Sequence, residues 1–134
     1  MEKAYPPHSR HHASADMALE PPSPVWVELL ERCAARSHLG AQWAYESEDL
    51  DVTLLSWDEG QRIEAHHNLE VDVVLVGVEG TGVVSVDGKA HELRPGVLLL
   101  ISKGCERAIE STSQRFSYLS LHQRRRGLMP VFNW

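Results

Sequence analysis

His66, His67, Asn68, Glu70 and Asp72 fall within seven consecutive residues, directly ahead of the apolar run Val73–Val78. Imidazole nitrogens and carboxylate oxygens at this density are the donors of a divalent metal centre, of the kind that suits Fe, Mn, Ni or Zn. In an extended segment His66, Asn68, Glu70 and Asp72 share one face, because strand side chains alternate. His122 lies on one face of a later strand with Tyr118 and Ser120 and can bring a second imidazole. If a metal is held, the set is His66, Glu70, Asp72 and His122. The competing reading makes His66 a buried neutral imidazole, hydrogen-bonded to Asn68 or to a carboxylate, with His67 turned outward.

The surrounding sequence dictates what positions these groups. Residues 1–24 are rich in Pro, His, Ser and Ala with no apolar period, which predicts a disordered tail. His8, His11 and His12 lie in it, and Met17 is a second candidate start. Ser23 as a cap, Pro24 at a first helical position, and Val25, Leu29, Leu30 and Cys33 at helical spacing predict a short N-terminal helix within 25–40. From 41 to 123 the period is two, and nine short runs alternate with turn residues such as Asp87-Gly88 and Arg94-Pro95-Gly96. That pattern predicts an all-β antiparallel domain, followed by a C-terminal tail over 124–134. The runs 71–78 and 97–101 are apolar on both faces. One face must line the interior and the other must be covered, which predicts a homodimer through these strands.

With these motifs in place, the chain over roughly 41–122 resembles the cupin superfamily. Gly60 is followed after five residues by His66, and Gly80 stands where the first motif closes; Gly96 is followed after five by Ser102-Lys103-Gly104. The resemblance implies a jelly-roll β-barrel of six to eight strands, with metal ligands from both motifs converging inside. Position by position, the first histidine is His66, the second is Asn68, and the glutamate falls on Val73, or on Asp72 if a bulge is allowed. The last histidine is Arg107, which has no lone pair to give and repels a cation. A buried arginine requires a counter-charge: Asp72 or Glu70 within the chain, or an anionic ligand such as a carboxylate.

Length and charge bound the rest. A chain of 134 residues builds one core, and a net charge of −6 excludes a general nucleic-acid binder. No apolar run approaches a membrane span. Two cysteines without metal spacing point to reduced thiols and a cytoplasmic setting. The leading reading is a non-catalytic or small-molecule-binding cupin with a degenerate metal centre, its ligand contacts at His66, Asn68, Arg107 and Tyr118, and no cofactor favoured. The alternative is a metal-dependent cupin enzyme, a dioxygenase or isomerase of a small acid or sugar. The residues themselves leave open whether the protein is an enzyme.

Overall fold

The computed structural model describes residues 23–67 and 70–124, with backbone alone for 64–67. The expectations placed on the N-terminal tail to residue 22, on Met17, on Asn68 and on the tail beyond Arg124 lie outside the described residues. A single helix, α1 (Leu29–Ala34), falls inside the expected 25–40. It begins at Glu28 without a side-chain cap, so Ser23 and Pro24 precede the helix rather than start it.

Among the described residues nine strands follow: β1 (Gly40–Glu46), β2 (Leu50–Asp58), β3 (Arg62–His67), β4 (Val73–Glu79), β5 (Gly82–Val86), β6 (Lys89–Leu93), β7 (Leu98–Ile101), β8 (Glu106–Ser111) and β9 (Arg115–Gln123). They form a five-stranded sheet in the order β1-β2-β9-β4-β7 and a four-stranded sheet in the order β3-β8-β5-β6. Every ladder is antiparallel. The β5–β6 hairpin turns on Asp87 and Gly88, both at positive φ (50° and 84°), as a two-residue primed turn requires.

The expected jelly-roll barrel is not formed. Closure needs an unbroken hydrogen-bonded ladder around the ring, whereas β1 and β7 remain the edges of one sheet and β3 and β6 the edges of the other. The sheets meet instead through their side chains, in a core of Leu55, Trp57, Val73, Leu75 and Phe116 against Val84, Leu93 and Ile109. The turn from β6 to β7 crosses between them. Gly77 N donates to Val97 O at 2.9 Å there, and Gly96 N donates to Gly77 O at 3.2 Å.

The register of the larger sheet sorts its two faces. Outer rows run Tyr45–Val52–Leu121–Val74–Leu100 and Trp43–Leu54–Leu119–Val76–Leu98. Inner rows carry Ala41–Leu55–Tyr118–Gly77 and Thr53–Ser120–Leu75–Leu99, then Asp51–His122–Val73–Ile101 at the far end. One end of the outer face is tied to the helix. There the buried Ser56 and Ser117 hydroxyls pair at 2.7 Å, Ser117 donates to Glu79 at 3.0 Å, and Arg115 Nη2 donates to Cys33 O at 2.8 Å.

Candidate functional site

The space between the sheets is apolar at the Phe116 end and polar toward His122. Alternation along β9 places Phe116, Tyr118, Ser120 and His122 on the inner face, and their exposure is 0, 0 and 3% for the first three. The Phe116 and Tyr118 rings pack with centroids 5.2 Å apart. From the opposite sheet β8 contributes Arg107, 1% exposed, whose backbone is in register with His66 on β3 and Val86 on β5. A guanidinium so deeply buried is costly unless its charge is compensated and its N–H groups are satisfied.

Three donor groups act on one another here. Burial pushes the Tyr118 phenol far above its usual range, while the Trp57 indole N–H and the positive charge of Arg107 oppose that rise. The phenol therefore keeps its proton throughout the physiological range, and among the described residues its buried oxygen completes no hydrogen bond of ordinary geometry. Trp57, 9% exposed, is a site residue that the sequence did not mark. Its only signal was its place two residues after Leu55 on the core face of β2.

The register shows where the two candidates for the first-motif glutamate position lie. Val73 is fully buried on the inner face opposite His122 and Ile101. Asp72 is exposed, and its Oδ1 accepts the Lys103 N–H at 2.9 Å. Glu70 is exposed as well. The His122 ring is held by its own strand end, with Nδ1 2.9 Å from Gln123 O and Nε2 4.0 Å from Asp51. Among the described residues no group of three His, Cys, Asp or Glu side chains could hold a metal ion, so Glu70, Asp72 and His122 are not brought together. A buried cation at one ligand position, with either a buried valine or an exposed aspartate at another, does not fit the metal centre that the resemblance implies. The side chain of His66 and the whole of Asn68 lie outside the described part.

Cys105 follows the same logic of local charge. Its neighbours in sequence, Lys103 and Arg107, are basic, yet the group that faces it is Asp87. Burial, a hydrogen bond to Asp87 and the Asp87 charge all push the thiol up. Removing the charge favours the thiolate, so Asp87→Asn should speed iodoacetamide alkylation of the native protein at pH 8 by a few-fold, on the order of what a neighbouring charge does to a thiol. Cys33 is fully buried and silent in this assay. An unchanged rate would mean that burial alone sets the reactivity.

No family model matches the chain. It is 31% identical over 72 residues to the dimethylsulfoniopropionate lyase DddW of Ruegeria pomeroyi, a match covering 52% of this chain and 47% of that protein. The chain thus matches about half the length of this curated relative. Among solved structures, BH2720 from Bacillus halodurans superposes with a TM-score of 0.68 at 21% identity, over 79% of this chain and 85% of that one. A cupin superfamily protein from Desulfitobacterium hafniense superposes with a TM-score of 0.54 at 20% identity, over 60% and 72%. The fold is therefore cupin-like. Among the described residues no helix is long and apolar enough to cross a membrane.

Proposed function

We propose that this protein is a small, single-domain cupin with a degenerate metal centre that binds a small organic molecule between its sheets, without catalysis, as a cytoplasmic homodimer. One observation carries the reading: Arg107, 1% exposed, stands where the resemblance calls for the last metal-ligating histidine. A permanent cation there disfavours a second cation and favours a ligand with acceptor oxygens. The dimer is supported by the outer rows of the larger sheet, where Leu98 and Leu100 are 61% and 59% exposed in an otherwise apolar face. Contiguous exposed apolar rows are a common mark of a contact surface between protein molecules. The free state of Cys33 and Cys105 accords with a reducing compartment.

The likeness to a lyase of dimethylsulfoniopropionate, a small propionate, supports a second reading, an enzyme acting on a small acid. Metal content separates the two. Protein begun at Met17, which removes His8, His11 and His12 as chelators, is incubated with Fe, Mn, Ni or Zn, desalted and assayed for bound metal. The binding reading expects substoichiometric metal. About one ion per chain, lost in His66→Ala, would overturn it in favour of a metal-dependent enzyme.

A further inference from the structure

We infer that α1 is a strap across one end of the outer face, hinged at Arg36 and latched by Arg115 and Glu79, whose release leaves both sheets intact and uncovers Leu54. The starting point is a β-bulge. Alternation along β4 puts Val73, Leu75 and Gly77 on the inner face and would put Glu79 there as well. The β4–β9 register shifts between Gly77 and Glu79, so Glu79 stands opposite Ser117 and its carboxylate meets the Ser117 hydroxyl on the outer side. Re-aiming a side chain in this way is what a bulge does.

Once turned, Glu79 organises the floor beneath the helix. Its Oε1 accepts the Ser117 hydroxyl at 3.0 Å, and with that proton committed, Ser56 is the donor in the 2.7 Å pair with Ser117. Its Oε2 lies 3.8 Å from Arg115 Nε, while Arg115 Nη2 donates to Cys33 O at 2.8 Å. The carboxylate thus steadies the guanidinium that holds the helix. At the end that runs into β1, Arg36 Nη2 donates to Asp58 Oδ1 at 2.7 Å, which makes that end the hinge.

Little else fastens α1. Its six residues fall well short of the roughly 12 to 15 at which an isolated helix is even marginal. No side chain caps it, and Cys33 is its one buried residue. Val25, Trp26 and Leu30 are 51, 49 and 60% exposed. A segment with so few buried apolar contacts opens at a lower free energy than the sheets do. α1 packs against β1 and β4, the strands that flank β2 and β9. Leu54, on the outer side of β2, is fully buried there and, like Cys33, stands outside the core between the sheets. Opening joins it to Trp43, Leu119, Val76 and Leu98 in one accessible apolar row. The strap therefore sets how much apolar surface the outer face presents.

Cys33 reports the opening. In the full chain carrying Cys105→Ser, its alkylation by iodoacetamide is followed over hours at fixed pH, in water and in urea below the unfolding transition. Arg115→Met removes a charge-assisted hydrogen bond to a carbonyl and should speed labelling by about tenfold or more. Glu79→Gln keeps an acceptor for Ser117 but drops the partly exposed ion pair, and should speed it by only about threefold. Both rates should stay nearly flat in low urea, because a local opening exposes little surface. Labelling that climbs with urea as steeply as global unfolding overturns the inference. So does a rate unmoved by Arg115→Met, or, should that variant not fold, a rate unmoved by Glu79→Gln.

Discussion

Gly80→Ala is expected to lower the unfolding free energy by about 4 kcal/mol, enough to consume much of the stability of a domain of this size. A Cβ at Gly80 would lie 1.6 Å from the Arg115 carbonyl oxygen and 2.5 Å from Ser113 Oγ, and the residue holds φ at +67°. The carbonyl cannot retreat, because it opens β9 and accepts the Ser113 hydroxyl at 2.7 Å, while Ser113 also accepts the Thr81 N–H at 2.9 Å. Gly60, the opening glycine of the same motif, is the control. It holds φ at +86° but a Cβ there meets nothing within 4 Å, so Gly60→Ala should cost about 1 kcal/mol of left-handed strain alone. Urea unfolding midpoints of the two variants compare them directly. Equal losses would mean that the close approach at Gly80 relaxes freely and that its place in the motif is not steric.

The same contrast explains what the sequence could and could not disclose. Turn glycines and the period of two are local signals, so all nine strands lie within two residues of the runs expected for them. Closure into a barrel is a question of whether distant edges pair, and no local pattern encodes that. Alternation likewise placed Tyr118, Ser120 and His122 together, since one strand carries all three. Whether Val73 or Asp72 faces inward depended on a bulge that spacing alone left open. The β4–β9 register does shift between Gly77 and Glu79, inside the stretch counted back from Gly80, so both residues stay candidates for that position. Trp57 reads from the sequence as a core or interface anchor, and its burial agrees with that. Its polar role arises only diagonally, from the offset between Trp57–Phe116 and Leu55–Tyr118 in the β2–β9 register.

Retention of scaffold beside loss of ligands has a physical logic. Gly77, Gly80 and Gly82 each leave no room for a side chain: a Cβ would run into backbone at the first two and into the Phe116 ring at Gly82. Their replacement damages the fold whatever the site does. The ligand positions carry no such obligation. A valine at 73 adds to the core, and an arginine at 107 places a permanent positive charge inside the fold. Substitution there alters chemistry while the sheets continue to pack.

Leu98→Glu combined with Leu100→Glu is expected to convert the proposed dimer to a monomer, with the dissociation constant raised more than about a hundredfold. Both side chains lie on the edge strand β7 and are already more than half exposed, so the isolated chain loses little packing. Each ends an apolar row that crosses all five strands of the sheet, through Val74 and Leu121 in one and Val76 and Leu119 in the other. In an isologous contact every substitution is met twice, so two replacements bring four carboxylates into one desolvated face. Sedimentation equilibrium reads the change, with an unaltered far-UV spectrum showing that the sheets persist. A wild-type chain that sediments as a monomer across the micromolar range would instead mean that the two apolar rows are met by something other than a second copy.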